Sequence, residues 1–404
     1  MTVTDALELA KTFDPRHLSP QFYDDPYSVY AALRAHDPVH AIEGGFFLTR
    51  YDDCLAVYRD RRFSSDKKQE FAPKFGDSPL FDHHTTSLVF NDPPLHTRVR
   101  KIIMGALTPR HLKRLEHDLD ILVDELVADV RGRGQFDLIE DFAVHIPVEI
   151  IGNLLEVPKA ERGPLRAWST AILSALEPTI TAEQFATGNR AVTEFVDYLK
   201  VLVAERRKNI GDPDTDVLSR LILGEHDGEQ LSESELLQNC IFLLNAGHET
   251  TTNLIGNGIW LLLSHGDERR KLATNPALIN SAVEEFLRFE SPVQLNNRRT
   301  TETVDLGDVT LAPGTSVTLC IAAANRDATA FPDPDRLDIA RKPNFQIAFG
   351  HSIHACAGMN LARLEGRIAI GKLMAALPDL TLDGTPERDR RARFRGFKKI
   401  PAKT

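Results

Sequence analysis

Cysteine is scarce in this chain. Its four cysteines, Cys54, Cys240, Cys320 and Cys356, show no C-x-x-C pair and no zinc-site spacing. That excludes a disulfide framework, a structural zinc site and an iron–sulfur cluster of its own; three of the four read as structural thiols in a reducing compartment. Long apolar runs are missing too. Cys240–Leu244 and Gly258–Leu263 fall far short of the roughly 20 residues that cross a bilayer. Met1–Arg16 mixes charged and apolar residues and has no signal-peptide core, so a cytoplasmic protein without a membrane anchor is expected. The net charge of −10 argues against nucleic acid as a partner. No G-x-G-x-x-G follows a strand, so no nicotinamide or flavin domain is expected. Gly and Pro are spread evenly, with no linker or repeat, and residues 1–404 read as one domain large enough to enclose a sizeable cofactor.

What is present reads mostly as helix. Apolar residues recur at helical spacing over Pro26–Ala35, Leu95–Leu107, Arg110–Val130 and Ala182–Arg206. The clearest helix is Leu231–His265, opened by Ser232 with Glu235 three residues on, a capping-box signature. Pro276–Phe289 is a further helix, stopping before Ser291-Pro292. Strand alternation is confined to Gly45–Thr49, Thr303–Leu311 and Ser316–Ile321, while Ala330–Gln346 reads as an irregular meander.

Two short segments concentrate the chemistry. In Phe349-Gly350-His351-Ser352-Ile353-His354-Ala355-Cys356-Ala357-Gly358, a glycine-containing loop leads into the helical run Met359–Ala376. A cysteine there faces free backbone N–H groups and the positive end of the helix dipole, which favours a thiolate ligand; an isolated cysteine is otherwise more often an inert core thiol. In Ala246-Gly247-His248-Glu249-Thr250, a small pair interrupts an apolar helix and would let a flat group approach the backbone. The Thr250 hydroxyl could bond the Ala246 carbonyl and loosen the helix. Glu249 and Thr250 then put a carboxylate beside a hydroxyl, which suits proton delivery; the bland reading is a packed small-residue contact with a solvated glutamate.

Phe349, Gly350, His354, Cys356 and Gly358 resemble the haem-binding loop of cytochrome P-450 enzymes, F-G-x-G-x-H-x-C-x-G, with Ser352 at a position usually held by glycine. Residues 246–250 resemble the A-G-x-[DE]-T oxygen-activation motif of the same family, and the similarity runs from about Asp25 to the C-terminus. The resemblance implies a mainly α protein with a small β region, holding haem b between the long central helix and the cysteine-loop helix. Cys356 would be the axial thiolate, with Phe349, Gly358 and Ala246 against the haem and Glu249 and Thr250 relaying protons. His96 and Arg100, four apart after Asp92-Pro93-Pro94, would hold a propionate with His354 and with Arg298 or its neighbour Arg299. Glu285-x-x-Arg288 with Arg341 would form a structural trio, Glu284 being the competing register, and Ala323–Asp327 with Phe331-x-Asp333-Pro334 is also structural.

By the same resemblance, Phe242, Asn245, Ala246, Leu295 and Phe394 would line the substrate pocket beneath a lid over Ser64–Phe90. Asn245 is polar where the family is usually apolar; its amide bonds either the substrate or neighbouring backbone and water. Lys67, Lys68, Lys74, His83, His84 and Arg393 would suit an anionic substrate, although lid lysines are usually solvated. The implied activity is a soluble, bacterial-type monooxygenase. It would insert one atom of O2 into a C–H bond of a small, mainly hydrophobic organic molecule, with electrons from an external ferredoxin and its NAD(P)H-dependent reductase. A peroxide-driven peroxygenase and a non-catalytic haem sensor or ligand carrier are the alternatives, and the Glu249–Thr250 pair disfavours both. The basic run His96–Arg114, with Arg98, Arg100, Lys101, Arg110, Lys113 and Arg114, is either a solvated face or a landing site for an acidic partner.

Overall fold

The structure, a computed structural model, describes residues 3–213, 216–226 and 229–404. Its axis is the helix Glu233–Ser264. The capping box expected at its start is formed: the Ser232 hydroxyl accepts from the Glu235 N–H at 3.2 Å, and Glu235 accepts from the Ser232 N–H at 2.8 Å. Buried residues run around this helix, so it is a core element with neighbours on several sides. The helices His145–Leu154, Leu165–Ser174, Ala182–Lys208 and Met359–Ala376 pack on it. A glycine permits one of these approaches: a Cβ on Gly247 would stand 2.1 Å from Ile151 Cδ1.

The β portion is small. Its main sheet has the order Val39–Ile42, Gly45–Leu48, Ser316–Cys320, Leu295–Thr300, Phe63–Ser64, with Gly45–Leu48 and Ser316–Cys320 parallel and the other pairs antiparallel. The single strand expected over Thr303–Leu311 is instead a hairpin of Val304–Leu306 and Val309–Leu311. Gly307, at φ +59, supplies the left-handed backbone of its two-residue turn, which the alternation of apolar residues across it conceals. No regular element occurs over residues 330–346, in keeping with a meander.

That meander is tied down by one buried ion pair. Arg288, wholly buried, donates twice to Glu285 at 2.8 Å and also to the carbonyls of Asn325, Pro334 and Arg336 at 2.9, 2.8 and 3.3 Å. Arg341 Nε reaches both Glu285 oxygens at 3.1 and 3.2 Å, and Asn344 and the Asp338 N–H complete the set. Glu284 faces the other way, to Arg363 of the cysteine helix at 2.6 Å, which settles the register.

The segment Ser64–Phe90 forms two short helices, Lys68–Phe75 and Pro79–Thr86, then a turn at Leu88–Phe90. Phe71, Phe75, Phe90 and His84 cluster there, with ring centroids 5.2 to 5.7 Å apart.

Candidate functional site: a cysteine loop facing an opened helix

The cysteine loop is held by its own backbone. The Cys356 N–H donates to the Phe349 carbonyl at 2.8 Å, and the Gly350 N–H to Ile347 at 2.9 Å. Gly350 and Ser352 both have left-handed backbone, at φ +68 and +62. The loop therefore favours glycine at both positions, and Ser352 takes up a conformation costly for an L side chain. Burial pushes the Cys356 thiol up, opposed by the Gly358 N–H and by the charges of Arg100 and Arg363. A bound metal cation deprotonates such a thiol outright.

Beside this loop several basic side chains converge. The His96 and His354 rings lie 4.2 Å apart, and His354 Nε2 is 3.8 Å from Asp92. His96 is buried with neither ring nitrogen partnered by a described residue. Burial, then the charges of His354 and Arg100, push it down to about 4. Arg298 is buried here, with its guanidinium 5.3 Å from the Tyr58 ring centre and donating to Asn296 and Asn297 at 3.1 and 2.8 Å. Strand alternation carries Arg299 to the opposite face, against Gly314. Arg298 is thus the one that joins His96 and His354.

The centre of the long helix is opened on one strip. Thr250 Oγ1 donates to the Ala246 carbonyl at 2.7 Å, the bond the sequence suggested. Ala246 is exposed and Phe242, Gly247 and Thr250 half-buried, while Leu244, Asn245, His248 and Glu249 on either side are buried. Glu249 is not solvated: it is paired with Arg391, which also meets Asp389 at 2.5 Å. Sequence reasoning missed Arg391, because no spacing rule links residues on two distant segments.

The structure brings some pocket candidates together and separates one. Phe394 is buried, bridged to Val293 and 5.4 Å beneath Arg391. Leu295 departs from the expectation: it packs with Phe22, Tyr30, Phe47 and Cys320 in the core between the sheet and the N-terminal helices. The alternation that turns Arg298 inward turns Leu295 outward. Of the lid lysines only Lys68 is exposed; Lys67 and Lys74 are not solvated. Lys67 is buried, bonded to Glu70 at 2.7 Å and to Asn297, and Lys74 donates to the carbonyls of Ala175 and Glu177 at 3.1 and 2.9 Å. Burial lowers both to about 8. Arg393 is spent on the carbonyls of Leu176 and Leu295. In the basic run, Arg98 is drawn inward to Glu235 and the Gln230 carbonyl, whereas Lys101, Lys113 and Arg114 are exposed; the side chain of Arg110 lies outside the described residues.

These residues suit haem. Buried His96 and Arg298 and half-buried His354 and Arg100 offer donors for two carboxylates, Cys356 offers a sulfur ligand, and the strip at Ala246 and Gly247 presents a nearly bare helix surface. Fold and site together define a haem-thiolate oxidoreductase. The sequence model for cytochrome P450 matches residues 172–391, and the chain belongs to that family. It is 42% identical over 370 residues to the vitamin D(3) 25-hydroxylase of Pseudonocardia autotrophica, covering 90% of this chain and 89% of that one. Cytochrome P450 107B1 of Saccharopolyspora erythraea is 37% identical over 402 residues, covering 95% and 96%. A solved structure of P450BioI, in complex with hexadec-9Z-enoic acid ligated acyl carrier protein, superposes with a TM-score of 0.90 at 34% identity, covering 96% of this chain and all of that one. The cofactor is haem b, ligated by the Cys356 thiolate, and the chain is a P450 monooxygenase. No described helix is long and apolar enough to cross a membrane.

Proposed function

We propose that this monooxygenase, acting as one catalytic unit in the cytoplasm, hydroxylates a C–H bond of a small, mainly hydrophobic organic molecule using electrons from a ferredoxin and its NAD(P)H-dependent reductase. The observation that carries the reading is the helix opening, where Thr250 holds the Ala246 carbonyl at 2.7 Å with buried Glu249 next to it.

Bound haem supplies the activation of dioxygen. The chain's residues do the rest. Arg100, His96, His354 and Arg298 hold the propionates, and Cys356 ligates the iron. The hydroxyl of Thr250 is the donor nearest the exposed strip. While it donates to the Ala246 carbonyl, its own lone pairs stay open to accept a hydrogen bond from a donor behind it. Glu249 is the ionisable group that can replenish the hydroxyl proton, and Arg391 sets how far it can swing. The apolar lid supports a hydrophobic substrate, and Lys67, Lys74 and Arg393 have their donors committed within the protein, which disfavours an anionic one. The relatives acting on vitamin D(3) and carrying an acyl chain support the same class.

The test is a carbon monoxide difference spectrum of the reduced protein followed by turnover with a ferredoxin pair. A strongly red-shifted Soret band and NADPH-dependent product are expected. Turnover with hydrogen peroxide alone, unchanged in Thr250→Ala, would instead make it a peroxygenase. Exposed Lys101, Lys113 and Arg114 are the candidate docking charges; reversing Lys113 and Arg114 to Glu should slow reduction several-fold at low salt, with the difference fading as salt rises.

A further inference from the structure

Asn245 is almost completely buried in the long helix, at the edge of the strip formed by Phe242, Ala246 and Thr250. Its side-chain nitrogen lies 3.3 Å from Nε2 of His83 on the lid helix, and His83 Nδ1 lies 3.0 Å from the Gln238 side-chain oxygen. Gln238 lies seven residues, about two helical turns, before Asn245, so a lid histidine is clamped between two amides on one face of the same helix.

With the Gln238 side-chain oxygen turned toward His83, the chain of bonds has one direction. The Gln238 oxygen can only accept, so His83 Nδ1 carries the proton and Nε2 keeps its lone pair. That lone pair accepts from the Asn245 NH2, which fixes the amide: turned over, its oxygen would face a lone pair. Burial pushes His83 down to about 4, so the ring is neutral and this polarity holds at physiological pH. The Asn245 Oδ1 is left as a buried acceptor with no donor among the described residues. Its own helix cannot supply one, because N–H groups in mid-helix are bound to carbonyls four residues back. A buried, oriented, unsatisfied acceptor is costly unless a ligand donates to it.

We propose that Asn245 determines substrate specificity by accepting a hydrogen bond from a hydroxyl of an otherwise apolar substrate, with His83 as the positioning residue that aims it. This rests on the monooxygenase reading above. It selects neutral alcohols over their ethers and over carboxylates, since an acceptor repels both kinds of lone pair. It also couples recognition to the lid, because the histidine that orients the amide belongs to a lid helix.

The test uses haem-loaded protein and three matched pairs: vitamin D3, testosterone and 1-hexadecanol, each with its O-methyl ether. Affinities are read from the substrate-induced spin-state shift. In at least one pair the alcohol should bind about tenfold more tightly than its ether, as one well-placed hydrogen bond gives. Asn245→Leu and the smaller Asn245→Ala should bring that ratio to within about twofold, chiefly by weakening the alcohol. His83→Phe should lower it as well, although the asparagine remains. Each variant is admitted on its carbon monoxide band, which reports haem and thiolate independently of substrate. Equal binding of alcohol and ether in all three pairs, no shift with any of them, or discrimination surviving both Asn245 variants would overturn the proposal. An intact band in those cases would leave the monooxygenase reading standing.

Discussion

Two of the buried glutamate–arginine pairs among the described residues, Glu285–Arg288 and Glu249–Arg391, are built to opposite ends. Around Glu285 each oxygen has several donors, from Arg288, Arg341, Asn344 and the Asp338 N–H. Around Glu249 there is one partner among the described residues, Arg391; the second carboxylate oxygen and two Arg391 nitrogens, Nε and Nη1, are buried with none among them. A saturated carboxylate has no lower-energy place to go and fixes the chain around it. An undersatisfied one keeps the option of a different partner or a proton. The contrast assigns structure to the first and chemistry to the second.

Breaking the saturated pair should have the largest effect. Arg288→Ala leaves a wholly buried carboxylate without two of its six hydrogen bonds, and should cost about 3–5 kcal/mol. The measurement is denaturant unfolding together with haem content, and both should fall. A variant with wild-type stability and lost turnover would reverse the assignment.

Glu365 extends the comparison to a carboxyl with no partner that lowers its pKa. Buried in the cysteine helix, it is pushed by burial alone from an ordinary 4.5 up to about 8. Folded protein therefore keeps this proton at pH values where the unfolded chain has released it. Stability falls as pH rises from near the ordinary value to about 8 and levels off above it. Roughly 3 kcal/mol should be lost between pH 5 and pH 8 from this group. Glu365→Gln should flatten that slope in melting curves, and an unchanged slope would show that the proton is held elsewhere.

The undersatisfied pair should respond in rate. Arg391→Gln removes the charge facing Glu249 and should cost less stability than Arg288→Ala, because the buried carboxyl can take up a proton and two of the three arginine nitrogens have no partner among the described residues. Product per NADPH should change several-fold, with a larger solvent isotope effect in Glu249→Gln than in wild type. If Arg391→Gln unfolds the protein while leaving coupling intact, the two pairs are alike and the contrast fails.

How much of this was legible in the sequence follows from the range of the interactions. The cysteine loop, the Thr250–Ala246 bond and the capping box depend on residues within a few positions of each other, where helix geometry dictates who meets whom. The Glu285 register was legible because only Glu285 has an arginine three residues on. The choice of Arg298 over Arg299 needed the strand's facing, and the same fact moved Leu295 out of the pocket. The Gly307 turn was hidden because a two-residue hairpin preserves apolar alternation on both sides. Arg391 and His83 reach their partners across the fold from other segments, and no local rule foresees them. Lys67 and Lys74 misled because their charge suggested solvent: distant carbonyls of Ala175 and Glu177 absorb that of Lys74, while Lys67 is paired with Glu70 three residues on and held by Asn297 across the fold.

The smallest effect separates backbone strain that is bonded from strain that is not. Asp333, in the saturated meander, has φ +46, and its carbonyl accepts from Arg341 at 3.1 Å and from the Arg336 N–H at 3.1 Å. Ser352, in the cysteine loop, has φ +62, and its carbonyl accepts only the Ala355 N–H of the turn itself, at 3.1 Å. A left-handed L residue costs about 1–2 kcal/mol, and glycine returns up to about 1 kcal/mol of that through the freer unfolded chain. Ser352→Gly should therefore gain about 0.5 kcal/mol, with a slightly higher melting temperature and an unchanged carbon monoxide band. Asp333→Gly should show no gain, since the two hydrogen bonds to its carbonyl already hold that backbone in place. Equal gains at both positions would mean that the meander stores strain as the cysteine loop does, and that its saturation by hydrogen bonds carries less of the fold than the Glu285 cluster suggests.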